Sequence, residues 1–407
     1  MPTSTDAVVQ AVQAVPAVPA VPRRPDLDAL VDATPASRDR VVDLLRVVSV
    51  GVVVVWHWSL SLTHWRADGV LVMPNPIADV PGGWAATWVL QVMPVFFVVG
   101  GYANLAGWQA VTRDGGGAAR FLGTRMRRLL LPLVPWLAAW AVVDAVSRAT
   151  GGRSVLDWGA AVLAPLWFLG VYVVVVALVP LTARAHRAWG WRAPAVLFGV
   201  ALLADLLRLG AGWGGLAVGL AGSAAVWLLC HQLGYLWRDG TLLVGGRRRA
   251  LAVAAIGFGG LVVLAALGPY PASMVAVQGD PFGNMFPTTA VIAALATFQL
   301  GLALLARPRL DTWFRRRRPW RAVVAANGLA MPVFVWHMTA LVAFLWLYEL
   351  AGFSLASRPT AGWWLERPVW VVGPGLVLAV LLLAVSRLRS RPPSAPPPPD
   401  PARSRGD

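Results

Sequence analysis

The chain has no lysine, a single cysteine and few charges of either sign. Charged residues make up 13% of its 407 positions, too few for the polar shell that a soluble core of this size requires. The one cysteine, Cys230, leaves no partner for an intrachain disulfide and excludes a CxxC metal site. A nucleotide loop of the Walker type is not expected, because Gly115-Gly116-Gly117 lacks the lysine and serine that would follow it. Nor is a secretory signal peptide. The N-terminal apolar stretch repeats proline at Pro16, Pro19 and Pro22, which prevents a helix, and its positive charges, Arg23 and Arg24, come after it rather than before.

What is present is apolar. Hydrophobic residues account for 57% of the chain and the mean hydropathy is +0.63. The apolar residues form repeated runs of about 20, the length a bilayer demands of a helix. Only helices satisfy their own backbone in lipid, and these runs lack the alternation of barrel strands. Ten spans are expected, at 45–64, 84–108, 129–146, 160–181, 194–209, 213–237, 251–267, 288–306, 323–350 and 368–385. The expected fold is therefore an all-α polytopic membrane protein. Residues 1–40 are expected to form a disordered cytoplasmic arm, residues 41–388 the membrane domain, and residues 389–407 a disordered Pro/Arg-rich cytoplasmic tail.

All 35 basic residues are arginine, against 19 acids, for a net charge of +16. Such a charge would also suit nucleic acid, but the arginines sit in short blocks between apolar runs. With ten spans, 28 arginines fall on one side and six on the other, with Arg46 inside the first span. That bias puts the richer side, and both termini, in the cytoplasm and sets nucleic-acid binding aside. A lysine-free composition rich in Ala, Val, Arg and Trp fits a GC-rich bacterial genome, so the expected location is a bacterial plasma (inner) membrane.

An ionisable side chain at membrane depth costs several kcal/mol, so the few present are the candidates for function. Arg46 and His57 are eleven residues apart, which places them on one helix face, separated along the axis by about 16 Å. The arginine marks the cytoplasmic mouth and the histidine lies near mid-membrane. An imidazole suits general-base work near neutral pH, and removing a hydroxyl proton is the task it fits. A histidine merely bonded to a neighbouring helix is the structural alternative. Arg125 and Arg128 share a face at the cytoplasmic entry to the third span and suit a phosphate group, although an ordinary positive-inside cluster has the same charges.

These residues resemble the acyltransferase 3 family over about residues 38–386. The likeness rests on Asp43, Arg46 and His57, and on the segment Met93-Pro94-Val95-Phe96-Phe97-Val98-Val99-Gly100-Gly101-Tyr102. It also rests on Arg125 and Arg128 with Pro132, on Leu166-Trp167-Phe168-Leu169, and on Phe334-Val335-Trp336-His337-Met338. The resemblance implies an integral-membrane O-acyltransferase that moves an acyl group, commonly acetyl from acetyl-CoA, to a hydroxyl of a saccharide or glycosylated acceptor. It makes His57 and Arg46 catalytic, gives Arg125 and Arg128 to the acyl-CoA donor, and implies no permanently bound cofactor. Direct transfer, with His57 as base, competes with an acyl-histidine intermediate. Gly100 departs from the family pattern, which has serine there, so that hydroxyl is lost and Gly100 is read as a packing residue. No hydrolase-like domain is expected after the tenth span.

The other polar residues rank lower. Asp144, His337 and Glu349, placed toward the outer face, are weaker candidates for holding the acceptor, and Asp205 with Arg208 reads as an i,i+3 ion pair. Cys230-His231 is poor support for a metal site, and none is expected. Trp56, Trp58 and Trp167 suit either an interfacial belt or a sugar-stacking path. A secondary transporter is the rival reading, but the Arg46/His57 pattern has no counterpart in the sixth span, as repeated halves would require. An inactive scaffold is the third reading, and retention of His57 with the arginines argues against it.

Overall fold

The computed structural model describes residues 26–390 except 36, 159, 160, 162, 278 and 279. Most of the expected arm and tail, residues 1–25 and 391–407, lies outside the described residues.

A short helix comes first, α1 (Leu27–Asp32), where a disordered arm was expected. It is held against the arginine-rich end of a long later helix: Arg317 bonds Asp28 at 3.1 Å and Asp32 at 2.6 Å. The first long helix is α2 (Arg40–Ser59). Its N-terminus is fixed because Asp39 accepts from the Val41 amide at 3.1 Å while binding Arg307 at 2.9 Å. A small hairpin, β1 (His64–Trp65) paired with β2 (Leu71–Val72), follows at the opposite end.

The expected second span is broken into α3 (Trp84–Leu90) and α4 (Met93–Arg113). Pro94 cannot donate to the preceding turn. The carbonyls freed at the break are taken by Gln299, whose side-chain amide donates to Trp88 O at 3.1 Å and Gln91 O at 2.9 Å, as backbone in an apolar medium requires. Next come α5 (Ala118–Leu130), which carries the arginines, and α6 (Leu133–Ala149), with Pro132 at their junction. The fourth span is also broken, at 58°, into α7 (Ala164–Ala177) and α8 (Val179–Trp189), where Pro180 interrupts the ladder. The chain continues through α9 (Arg192–Asp205), which ends in a π turn, then α10 (Gly215–Arg238), α11 (Gly246–Leu267), α12 (Ala290–Phe314), α13 (Arg317–Leu350), α14 (Ala361–Leu365) and α15 (Arg367–Ser390).

Among the described residues, nine stretches are long and apolar enough to cross a membrane, and ten if α7 and α8 form one bent span. The protein is thus the all-α polytopic membrane protein expected. Its centre is α4, α10 and α12, the most buried helices. The first two meet without a gap because Gly101 lies against the His231 backbone and Gly234 against the Val98 carbonyl, so neither position has room for a Cβ. The lipid-facing sides of α6, α11 and α15 expose large apolar residues such as Val142, Ile256 and Val380, as a bilayer solvent allows.

At the end away from the arginine blocks, the connecting segments form an ordered cover. Asn75 donates to Ala276 O at 2.5 Å, Trp88 to Ala272 O at 2.8 Å, and Met274 N to the Thr87 hydroxyl at 2.9 Å. Asp205 accepts from the Tyr270 hydroxyl at 3.0 Å and the Ala290 amide at 2.7 Å, which ties the 268–290 segment to α9. Its expected partner Arg208 stands farther off, at 3.9 Å.

Candidate active site

Under that cover lies a cavity of about 1460 Å³ that opens toward the end away from the arginine blocks. Its lining includes Trp56 and His57 of α2, Gln91 and Met93 at the α3–α4 break, Trp167 and Phe168 of α7, and Phe334 and His337 of α13. The α3–α4 break borders this space, since Leu90, Gln91 and Met93 all line it. His64, Arg66, Asn75, Asp79 and Arg358 bring polar groups to the rim. Arg66 is paired with Asp68, and its hydrogen bond holds that carboxyl below the usual carboxylate range. Arg358 has no ion-pair partner among the described residues.

His57 and His337 meet in this cavity. His57 Nδ1 lies 2.9 Å from His337 Nε2, with the ring planes 8° apart and the centroids 5.2 Å apart. With nitrogens this close and centroids that far apart, the rings lie side by side in nearly one plane, the geometry of an N–H···N bond. His337 is fully buried, and its Nδ1 lies 2.7 Å from Phe334 O. His57 is half-buried at the cavity wall, and its Nε2 has no protein partner among the described residues. His337, expected in the outer part of its helix, is therefore level with His57.

Below His57 on the same helix, Arg46 bonds Asp43 at 3.2 Å and Asn327 of α13 at 3.5 Å. Asp43 is buried and also holds Arg38 at 2.5 Å. Arg125 turns into the protein, donating to Ala103 O at 2.9 Å with its guanidinium 5.5 Å from the Phe121 ring. It lies within electrostatic reach of both Arg46 and Arg128. Three guanidinium groups from α2 and α5 thus gather at the arginine-rich end, with Arg128 exposed. Arg125 and Arg128 are held differently, because Arg125 donates to a carbonyl on α4 while Arg128 is exposed.

Between the arginines and the cavity the route narrows. A residual space of about 10 Å³ is lined by Ser49, Val50, Val53, Met93, Phe96, Phe168 and Phe334. That is room for about one water. Val53, Met93, Phe168 and Phe334 line the large cavity too, so the narrow space continues it down α2 toward Arg46. Phe168 is the hub of the constriction, with its ring 5.1 Å from Phe96 and 5.2 Å from Phe334.

Other expected site residues lie elsewhere. Asp144 accepts from the Ser154 hydroxyl at 2.7 Å, the Val155 amide at 2.8 Å and Arg148 at 2.9 Å. Glu349 accepts from Trp65 at 3.2 Å. Neither lines the cavity, because each carboxylate is used to fasten a loop or the hairpin. Trp56 and Trp167 do line it, whereas Trp58 is buried and donates to His337 O at 3.0 Å. His231 Nε2 faces the Asn104 amide at 3.1 Å, and no group of three His, Cys, Asp or Glu side chains among the described residues could hold a metal.

Sequence reasoning also missed partners. Asn327 and Tyr172 carried no motif, yet Asn327 braces Arg46 and Tyr172 stands where a Cβ on Gly100 would go. No curated protein and no solved structure matches the chain. The family model described as an acyltransferase domain matches residues 39–386, which takes in both histidines and the three gathered arginines. The chain belongs to that acyltransferase 3 family and is a membrane-embedded acyltransferase.

Proposed function

We propose that the protein transfers an acyl group, acetyl in the simplest case, from acyl-CoA to a hydroxyl of a saccharide or glycosylated acceptor. The observation that carries this reading is the line of groups along α2. Arg46 and its neighbours form a polyanion-binding end, and His57 presents a free ring nitrogen to a cavity reached from the other end. The donor is cytoplasmic and polyanionic, so its nucleotide phosphates rest on Arg46, Arg125 and Arg128. Its thioester arm covers the roughly 16 Å of helix rise between Arg46 and His57. The acceptor enters the large cavity, where Trp56 and Trp167 offer apolar faces to a sugar ring.

In the chemical step His57 Nε2 removes the acceptor hydroxyl proton as that oxygen attacks the thioester carbonyl. The carbon–sulfur bond then breaks, and the departing thiolate takes the proton back from His57. The products are an acyl ester and free CoA thiol. On this reading the arginine-rich face and both termini are cytoplasmic, in a bacterial plasma membrane.

The test is release of free thiol from acetyl-CoA by the purified protein with a panel of sugar acceptors, wild type against His57→Ala. Acceptor-dependent release in the wild type, lost in a folded His57→Ala protein, supports the reading. A wild type that neither binds nor turns over any acyl-CoA refutes it and favours a transporter.

A further inference from the structure

We infer that His337 holds His57 in the tautomer that the reaction needs, a positioning role that rests on the acyl-transfer reading above. Donors and acceptors decide the tautomer. Phe334 O can only accept, so His337 Nδ1, at 2.7 Å from it, carries a proton and donates. The contact of 2.9 Å between His337 Nε2 and His57 Nδ1 needs one proton between the two nitrogens. If that proton sat on His337 Nε2, the ring would be a cation. Among the described residues no carboxylate bonds either imidazole, and a buried charge without a partner is costly. The uncharged arrangement leaves Nε2 of His337 as acceptor and puts the proton on Nδ1 of His57.

The consequence falls on the far nitrogen. A neutral imidazole protonated at Nδ1 has its lone pair at Nε2, and His57 Nε2 is the atom without a protein partner at the cavity wall. The chain of bonds from Phe334 O through His337 therefore sets which atom of His57 acts as base. The opposite tautomer would turn an N–H toward the acceptor hydroxyl and could take no proton from it.

His337 is well fixed for this role. It is fully buried, its own carbonyl accepts from Trp58 of α2 at 3.0 Å, and the Phe334 ring lies 5.8 Å from its own. When His57 takes the hydroxyl proton on Nε2, its Nδ1–H continues to donate to His337 Nε2. His337 itself neither gains nor loses a proton. It touches no reacting atom and acts only through His57.

The experiment uses the full-length protein in lipid with ¹⁵N-labelled histidine. The chain has five histidines, so His57 is assigned by the signal missing from His57→Gln. The expected wild-type spectrum shows His57 protonated at Nδ1 and bare at Nε2. In His337→Leu the tautomer preference is lost and kcat falls about tenfold to a hundredfold, with KM for acyl-CoA unchanged. In His337→Gln the side-chain oxygen can again accept from Nδ1, and part of kcat returns. Wild-type His57 protonated at Nε2 overturns the inference, as does an undiminished kcat in His337→Leu. Should His337→Leu fail to fold, the wild-type spectrum and the Gln variant decide. A wild type that turns over no acyl-CoA defeats the acyl-transfer reading, while the spectrum still decides the hydrogen-bond chain.

Discussion

Gly100 of α4 lies directly against Tyr172 of α7: a Cβ at position 100 would stand 2.8 Å from the Tyr172 hydroxyl oxygen and 2.9 Å from its ring edge. The same hydroxyl accepts from Asn104 at 3.2 Å, one turn further along α4. A tyrosine hydroxyl thus reaches in from another helix, and the glycine is what makes room for it.

A serine at position 100 should therefore harm this protein. Gly100→Ser is expected to destabilise it by about 1–3 kcal/mol through overpacking. Adding Tyr172→Ala should cost less in the Gly100→Ser background than in the wild type, with a coupling of about 0.5 kcal/mol or more. Thermal unfolding of the four proteins in one detergent checks this. Strictly additive losses would mean that the two residues do not compete for space.

The arginine cluster predicts a split between binding and turnover. Arg125→Gln should raise KM for acyl-CoA about tenfold with a smaller change in kcat, because it removes a charge from the donor's end rather than from the reacting centre. Arg125→Lys should recover little, since an ammonium cannot reproduce the planar guanidinium at Ala103 O and over the Phe121 ring. Arg128→Ala, at an exposed position, should have a weaker effect of the same kind. Steady-state kinetics in acyl-CoA separates these outcomes, and a kcat loss with unchanged KM would remove Arg125 from the donor site.

The constriction at Phe168 predicts a barrier. With Cys230 replaced by alanine, a cysteine at position 49 (Ser49→Cys) should resist a membrane-impermeant maleimide applied from the cavity side, because the space beside it holds about one water. Phe168→Ala should speed labelling about tenfold or more by deleting the ring that bridges Phe96 and Phe334. Equal labelling rates in the two proteins would show that the route is not closed at this ring.

Much of this arrangement was legible in the sequence, and the division has a physical reason. Helix period is local, so the common face of Arg46 and His57 could be read from spacing alone, whereas the spans expected at 84–108 and 160–181 were read as continuous and the breaks near Pro94 and Pro180 came only with the structure. The partner of His57 could not be read the same way. His337 is 280 positions away, and only the packing of α2 on α13 brings the rings together. Asp144 and Glu349 were weaker candidates placed toward the outer face. A carboxylate near a helix end is also the natural fastener for the adjoining segment, and spacing alone does not separate the two uses. The short helix α1 was hidden by the Pro-rich stretch before it, and its ion pairs with α13 are equally distant in sequence.

Asp144 supplies a direct check on which use applies. Asp144→Asn should weaken the bonds to Ser154, the Val155 amide and Arg148 and so lower the thermal unfolding temperature. It should leave KM for the acceptor unchanged. An acceptor KM raised severalfold in a protein of normal stability would return Asp144 to the binding site.

On the proposed function, donor and acceptor reach His57 from opposite ends of the bundle. The most direct measurement seals the protein in vesicles of uniform orientation, with radiolabelled acetyl-CoA on the arginine-rich side and a saccharide acceptor on the other. Label on the separated acceptor is expected for the wild type and none for His57→Ala. Label appearing at the wild-type rate with His57→Ala, or only when both substrates share one side, would contradict it.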